Sequence, residues 1–524
     1  MTESTLNRRL GKAALIVSGG VLLSRILGQL REIIFAGMLG ADGITDQYVA
    51  AFRIPDFLNY LLAGGFLSIT FIPIFAKYLA DDDEEGGWVA LSAVLRPIAL
   101  GIIVLVAIGY MATPWIIDTI YPDFTAEQVT ATVHLTRIVL PAQMFFVLGA
   151  LFSAVQYAKG HFTIPTIAPI VYNLGIITGG LVYARVTGTP DPEGFIWGAL
   201  AGAFAGNFAL QWWGARRIGM KLYLATSWRH PALRTYIAIA LPLMIGQSIV
   251  VLDETFMSTF GGLSGEGAQT HLLYARRTMF VPIGVVAQAA GVAAYPFLAR
   301  LFAEGKTQLM ADTVDKTLRW VLALSILAAG LIASLSVPTI RVLFERSAFK
   351  PDDTIAAAGA LFFYALAIPV WGGLQVLNRA FYARRQMWTP VAVGSVATVL
   401  AIPTYWAMQR AFGLEGVAAA SVITLSVYTF ALGSLWYRDQ GHRGRVGAIL
   451  ESAGRAVPLA VGGGAAAWVA ASGLENILGS GFMASLVTLL AATAVYSSFA
   501  VALAGGLFEL TKHTAATDPV SSDT

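Results

Sequence analysis

Long apolar stretches, separated by short polar or Gly/Pro-rich breaks, follow one another along almost the whole chain. A helix that crosses the hydrocarbon core of a bilayer needs about 20 mainly apolar residues, and cutting the chain at its breaks yields fourteen such stretches. We predict helices over approximately 13–38, 47–79, 88–112, 128–157, 161–184, 193–215, 233–260, 268–301, 313–338, 354–384, 389–409, 415–437, 453–472 and 480–510. This pattern is typical of an all-α polytopic membrane protein.

Composition supports this class and narrows the function. Hydrophobic residues make up 56% of the 524 residues and charged residues only 12%, against about 25% charged residues in soluble domains. The net charge of +3 is too small to indicate a nucleic-acid partner. The chain has no cysteine for disulfides or thiolate metal sites, and its six histidines are scattered. Because nucleotide-binding and hydrolase motifs are also missing from the sequence, we predict neither an enzyme nor a cofactor nor a metal site.

The loops between the predicted helices carry an uneven charge. Lysine and arginine concentrate in alternate loops, notably around 216–234 and 438–455. Such loops normally stay on the cytoplasmic side. We therefore expect both termini in the cytoplasm.

The chain also repeats itself. The motif at 71–79, FIPIFAKYL, resembles AYPFLARLF at 294–302, and the motif at 153–166 resembles 378–391 at nearly the same offset. Since six predicted helices separate the copies, each copy enters the membrane in the same direction, as in transporters with parallel repeats. We predict a lobe of helices 1–6 (1–225), a lobe of helices 7–12 (226–440) and a C-terminal part with helices 13–14 and a cytoplasmic tail (441–524).

Several arginines lie inside stretches that otherwise read as membrane helix. A charged side chain at the bilayer centre costs roughly 2.5–3.5 kcal/mol on insertion scales, so it usually faces a watery cavity or a ligand. These arginines are Arg25, Arg31, Arg53, Arg96, Arg137, Arg276, Arg277 and Arg379. Arginine's planar fork suits phosphate, and their number suggests an anionic cargo.

The first predicted helix contains two of these arginines. Arg25, Gln29 and Glu32 fall on one helical stripe, whereas Arg31 lies about 120° around the axis. For Arg25 we favour a cavity-lining role over a structural ion pair. For Arg31, nearer the outer end, snorkelling to the membrane interface competes with function.

The second predicted helix places Arg53 and Asp56 on one face. Pro55 frees a backbone carbonyl in the preceding turn, which a cavity or a neighbour must satisfy. A structural Arg53–Asp56 ion pair is the alternative to a substrate role for Arg53. Asp46 is either a helix cap or a gating residue.

Predicted helices seven and eight contain further charges. Arg276 and Arg277 are adjacent and point to different faces of helix eight, while Asp253 and Glu254 lie in helix seven. The two arginines therefore indicate either an anion site or an ion network between these helices.

Seven blocks in the same order resemble the MurJ (MviN) lipid II flippases of the MOP transporter superfamily. They are SRILGQLRE (24–32), TDQYVAAFRIPDFL (45–58), FIPIFAKYL (71–79), FTIPTIAPIVYN (162–173), YARRTMFVPIGV (274–285), YPFLARLFAEG (295–305) and FYARRQMWTPV (381–391). The resemblance implies two six-helix lobes (MATE/MOP-like) around a central cationic cavity, with alternating access. It also implies that helices thirteen and fourteen form a hydrophobic groove for a lipid tail.

The same resemblance implies roles for individual residues. Arg25, Arg31, Asp46 and Arg277 match positions important in the family. Arg53 stands where Lys or Arg is usual, and Arg276 departs from the usual Asp or Asn. Some relatives bind sodium at a site that includes the position of Asp253, but predicted helix eleven offers no Asn or Asp, so we predict no ion site.

The expected function is transport of lipid II, an undecaprenyl-diphosphate-linked peptidoglycan precursor, from the inner to the outer leaflet of the bacterial cytoplasmic membrane. The expected substrate-binding residues are Arg25, Arg31, Arg53, Arg276 and Arg277, and the expected gating or ion-pair residues are Asp46, Asp56, Asp253 and Glu254. One alternative is a flippase for another polyprenyl-diphosphate-linked oligosaccharide. Another is a non-transporting scaffold whose basic inner loops dock cell-wall synthesis enzymes.

Overall fold

The computed structural model describes residues 3–61, 66–223, 226–284, 297–298, 300–302, 304–384, 386–439 and 443–515. Within these residues all regular elements are helices. Part of the eighth predicted segment, including the repeat motif around 294–296, and the tail 516–524 lie outside the described residues.

The elements up to the long connection at 218–230 begin and end as follows: α1 (Glu3–Leu39), α2 (Gly43–Ala51), α3 (Arg53–Leu61), α4 (Phe66–Ala80), α5 (Glu84–Ile120), α6 (Ala126–Val139), α7 (Ala142–Ala158), α8 (Thr163–Thr187), α9 (Pro192–Gly202), a π-helical segment (Ala203–Ala209) and α10 (Leu210–Arg217). The remaining helices are α11 (Pro231–Gly262), α12 (Ala268–Ile283), α13 (Thr307–Ser334), α14 (Ser336–Phe344), α15 (Pro351–Ala383), α16 (Trp388–Asp439), α17 (Arg443–Leu478) and α18 (Phe482–Ala515).

The described helices are long and apolar enough for several membrane crossings. Eight stretches of the described chain meet both criteria, and one of them, 388–438, covers the eleventh and twelfth predicted segments together. The described parts of the predicted segments are mainly helical, but short breaks at 52, 140–141 and 335 interrupt the second, fourth and ninth segments. The chain is a multi-pass, all-helical protein, while the number of fourteen crossings stays a prediction.

Local sequence explains where several helices begin, break and end. Asp42 caps α2 and forms a capping box with Thr45. The helix then breaks at Phe52, in the turn before Pro55, because proline has no N–H to donate to the preceding turn. In α16 the kink lies at Gly413, whose φ of +56° is in the left-handed region that glycine adopts without a side-chain clash.

The chain forms two compact units. Unit 1 comprises residues 1–270 and 346–349, and unit 2 comprises 271–345 and 350–524. The seventh predicted helix, α11, packs against α3, α4 and α5 and so belongs to unit 1. These units describe packing, whereas the boundaries at 225/226 and 440/441 describe the sequence repeat; the repeat-based lobes stay a prediction.

Each unit has its own packing pattern. In unit 1, glycines at the contact between α8 and α9 bring the two backbones together: a Cβ atom on Gly179 would lie 2.4 Å from the Cα atom of Gly198. Such small-residue contacts are common between membrane helices. In unit 2, α13 packs against α15 and α17, and α17 packs against α18.

Candidate substrate-binding site

The first group of charged side chains in unit 1 surrounds Arg31 on α1. Its Nη2 atom lies 2.5 Å from Glu32 Oε1, and its Nη1 atom donates to Asn173 Oδ1 on α8 at 3.2 Å. Asn173 in turn donates to the carbonyl oxygen of Pro169 at 2.9 Å. The Arg31 side chain is only 15% exposed. The structure thus places this guanidinium among polar partners from two helices.

Arg25 lies six residues before Arg31 on the same helix, and its surroundings differ. Its side chain is exposed, whereas Glu32, on the same predicted stripe, is buried. Glu32 turns to Arg31, its neighbour in the chain. The stripe therefore runs from an exposed arginine to a buried carboxylate.

The second group of charges in unit 1 is centred on Arg53, at the start of α3. Its side chain is only 6% exposed and its Nε atom donates to the carbonyl oxygen of Val49 at 3.3 Å. Its Nη2 atom lies 3.8 Å from Asp56 Oδ2, and its Nη1 atom lies 3.6 Å from Glu254 Oε2. The predicted Arg53–Asp56 contact is present, and α11 adds a second carboxylate. A buried cation with two acidic neighbours carries little uncompensated charge.

Asp46 on α2 is buried and binds the beginning of another helix. Its Oδ2 atom accepts from the N–H of Gly267 at 2.8 Å. Its Oδ1 atom accepts from the N–H and the hydroxyl of Thr270, at 2.9 and 2.8 Å. Gly267 directly precedes α12 and Thr270 lies in its first turn, where unpaired N–H groups favour an anionic acceptor. Asp46 therefore caps a helix distant in sequence, while Asp42 caps its own.

A buried hydrogen-bond chain lies near this cap. The Tyr121 hydroxyl lies 2.7 Å from Ser258 Oγ, and Ser258 donates to Gln269 Oε1 at 2.6 Å. The chain links the end of α5 to α11 and to the first turn of α12. It supports the same helix start that Asp46 binds.

The remaining predicted site residues lie on α11 and α12. Asp253 and Glu254 are both half-buried. In unit 2, Arg276 is buried with its guanidinium 5.7 Å from the Phe280 ring, and Arg277 is half-buried. Their roles in binding stay predictions.

Sequence reasoning missed two partners of the predicted residues. Asn173 was visible only as a polar residue in an apolar helix, and nothing in the sequence linked it to Arg31. Thr270, at the start of α12, gave no signal of its contact with Asp46. Both pairings join residues far apart in the chain.

Unit 2 contains an apolar cavity of about 760 Å³ between α13, α14, α15 and α17. Its wall includes Phe362, Leu366, Val461 and Trp468. Glu475, also in the wall, lies 2.6 Å from Arg341 Nη1. The cavity is thus apolar over most of its surface and has one ion pair at its edge.

The sequence is similar to those of a known transporter family. The profile of the family described as lipid II flippase MurJ matches residues 35–498. A probable lipid II flippase MurJ of Rhizobium meliloti (strain 1021) is 27% identical over 502 residues, which cover 93% of each chain.

Two solved structures share the fold. One is a lipid II flippase MurJ in an inward closed conformation, with a TM-score of 0.74 and 20% identity over 94% of this chain and 100% of the other. The second is an inward-facing MATE multidrug transporter of the MOP superfamily, with a TM-score of 0.65 and 16% identity over 84% of this chain and 99% of the other. With a family profile matching most of its length, the chain belongs to the lipid II flippase MurJ family.

Proposed function

We propose that this chain moves lipid II from the inner to the outer leaflet of the bacterial cytoplasmic membrane by alternating access, without chemical conversion of the lipid. Family membership supports the substrate, and the uneven loop charge supports an orientation with both termini in the cytoplasm. The observation that carries the mechanism is a set of arginines inside membrane-spanning stretches: Arg53 is buried beside two acids, and the largely buried Arg31 contacts an acid and an amide.

The arginines supply the chemistry that a diphosphate needs. Arg25, Arg31 and Arg53 of unit 1, and Arg276 and Arg277 of unit 2, each contact the diphosphate at some stage of transport. Guanidinium groups bind phosphate oxygens through paired, charge-assisted hydrogen bonds. Several such groups compensate for the water that a diphosphate loses when it leaves the membrane surface.

The acidic residues hold these arginines when no substrate is bound. Asp56 and Glu254 lie within 4 Å of the Arg53 guanidinium, and Glu32 does the same for Arg31. An arriving diphosphate replaces a carboxylate as the partner of the guanidinium. Between transport cycles the carboxylate pairs with the guanidinium again, so that the buried cation is never left unpaired, which would be costly.

Asp46 and Asp253 act on the same helices in a supporting role. Asp46 binds the first turn of α12, the helix that bears Arg276 and Arg277 further along the chain. Asp253 is adjacent to Glu254 on α11. We assign both to gating, because a change at either carboxylate alters the setting of a helix that carries site residues.

The apolar cavity of unit 2 suits the prenyl chain. Its lining of Phe, Leu, Val and Trp side chains offers no strong polar partner over most of its surface.

Membrane potential supplies the driving force for transport, because moving negative charge outward from a negative interior is favourable by about 2.3 kcal/mol per charge per 100 mV.

The test is transport by the purified full chain in vesicles containing labelled lipid II. Arg25→Gln and Arg277→Gln should each lower lipid II binding and transport, about tenfold or more for the loss of one charge-assisted pair. The matched control is Arg185→Gln, which removes an exposed arginine from the last turn of α8 and should behave as wild type.

Two results would contradict the proposal. Wild-type transport by both folded variants would remove the arginines from the mechanism. If the wild-type chain neither binds nor moves lipid II but moves another polyprenyl-diphosphate-linked oligosaccharide, that substrate takes its place; if it moves no such lipid, the scaffold alternative is favoured.

A further inference from the structure

Arg137 on α6 is an arginine within a membrane-spanning stretch to which the proposed transport mechanism gives no role. It lines a cavity of about 550 Å³ in unit 1, within the range of about 300–1,000 Å³ typical of small-molecule sites. Tyr110 of α5, His134 of α6, and Trp197 and Leu200 of α9 also line it. The cavity thus lies towards the end of the unit at which α5 joins α6 and α8 joins α9.

The contacts of Arg137 account for only part of its hydrogen-bonding capacity. Its Nε atom donates to the carbonyl oxygen of Tyr110 at 3.3 Å, and its guanidinium carbon lies 4.7 Å from the centre of the Tyr110 ring. A guanidinium has five N–H donors. In the part of the chain that the structure describes, it forms no salt bridge with a carboxylate. A positive charge in a membrane-spanning stretch without an acid beside it favours an anionic ligand.

No Asp or Glu is among the described residues that line the cavity, and Glu193, which contacts two of the lining residues, is held by other partners. Glu193 Oε1 accepts from Trp197 Nε1 at 3.0 Å and lies 3.5 Å from His134 Nε2. Its Oε2 atom lies 3.5 Å from the Tyr183 hydroxyl. Because Glu193 is bound to His134, Trp197 and Tyr183 and no carboxylate lines the cavity, the charge of the Arg137 guanidinium is not neutralised there.

The surface beside the cavity is apolar and exposed. On α5, the side chains of Leu100, Val104 and Ile108 are exposed; these residues precede Tyr110 and so lie on the side away from the α5–α6 connection. In a membrane such a surface faces acyl chains. Tyr and Trp rings, here Tyr110 and Trp197, are typical of the level at which lipid headgroups begin.

From this combination we infer that the cavity binds the phosphate group of a membrane phospholipid, with Arg137 paired to the phosphate and the acyl chains lying along the exposed face of α5. The chemistry of the site is that of a phosphate monoanion. The adjacent apolar surface favours a lipid as its source over free phosphate. The site is separate from the residues assigned to lipid II transport.

The experiment measures thermal unfolding of the detergent-solubilised full chain with three additives. They are phosphatidylglycerol, diacylglycerol with the same acyl chains, and inorganic phosphate. We expect phosphatidylglycerol alone to raise the melting temperature in a saturable way, because a ligand that binds the folded state stabilises it. Arg137→Gln should weaken the apparent affinity about tenfold or more, the effect expected for one charge-assisted contact.

Two further variants make the result decisive. Leu200→Trp fills the cavity and keeps the arginine, and its melting temperature should no longer rise with phosphatidylglycerol. This variant keeps the test possible if Arg137→Gln does not fold. Arg185→Gln removes an exposed arginine of the same unit that does not line the cavity, and it should respond as wild type. An equal response to diacylglycerol or to inorganic phosphate, or wild-type lipid affinity in either folded cavity variant, overturns the inference.

Discussion

Replacing Asp46 by asparagine tests whether this carboxylate holds the start of α12. The side chain is 3% exposed and accepts three hydrogen bonds of 2.8–2.9 Å, from Gly267 and from the N–H and hydroxyl of Thr270. Asparagine has nearly the same shape but no charge, and it has only one oxygen. Its NH2 group would face one of these donors, which would then lack an acceptor in a buried place.

The magnitude follows from these contacts. A buried donor left without an acceptor costs about 1–3 kcal/mol, and loss of negative charge at a helix N-terminus costs up to about 2 kcal/mol in partly buried positions. Since the two effects share the same atoms, they do not simply add. We expect Asp46→Asn to lower the free energy of unfolding by about 2–4 kcal/mol.

The assay is thermal unfolding of the purified chain followed by tryptophan fluorescence, and the control lies in the same helix. Asp42 is an exposed N-cap whose Oδ1 atom accepts from the N–H groups of Ile44 and Thr45. Asparagine caps helices about as well as aspartate, so Asp42→Asn should change stability by less than about 0.5 kcal/mol. If both variants melt alike and close to wild type, Asp46 does not hold α12 as described.

Three further substitutions test the packing and charge of unit 1, each by the same melting assay. Glu254→Gln removes one of the two carboxylates beside Arg53. We expect the free energy of unfolding to fall by about 1–3 kcal/mol, which is less than the usual cost of breaking a buried pair because the second carboxylate remains. An unchanged melting temperature would show that the contact is not stabilising. Asn173→Ala removes an amide that joins α1 to α8 and should cost about 1–3 kcal/mol, whereas a loss below about 0.5 kcal/mol would contradict a stabilising link. Gly149→Ala would place a Cβ atom 1.5 Å from a backbone carbonyl of the π-helical segment and should lower the free energy of unfolding by about 1–3 kcal/mol or more. The control is Gly101→Ala, where a Cβ atom would have no neighbour within 4 Å and stability should be unchanged or slightly higher. Equal stability of the two variants would contradict the steric argument.

Much of the helix pattern was predictable because it depends on local properties. Apolar runs long enough to cross a bilayer form helices, since backbone groups in hydrocarbon must be satisfied within the segment. The kink at Gly413 lies between the eleventh and twelfth predicted segments. The break at Phe52 was not predicted, since 47–79 was expected to be one continuous helix, although the missing N–H of Pro55 explains it. The π-helical segment 203–209 was not predicted, because its apolar residues are equally compatible with an ordinary helix.

The candidate site was only partly predictable. Charged residues inside apolar helices identified Arg31 and Arg53, because such residues are costly wherever they lie in a membrane, whereas Asp46, just before the second predicted helix, was identified as a helix cap or a gating residue. Their partners were harder to identify. Helical spacing brought Asp56 to Arg53, but it gave no indication that Glu254 of α11 would also lie there.

The sequence by itself determined that this is a helical membrane protein, where its long apolar helices lie and which charges need a partner or a ligand. These properties depend on side-chain polarity and on hydrogen bonds within a few residues. Tertiary structure decided which groups meet: Arg31 with Asn173, 142 residues away, and Asp46 with Thr270, 224 residues away. Such pairs depend on the rotation and tilt of packed helices, which are set by the fit of many side chains together and by no local motif.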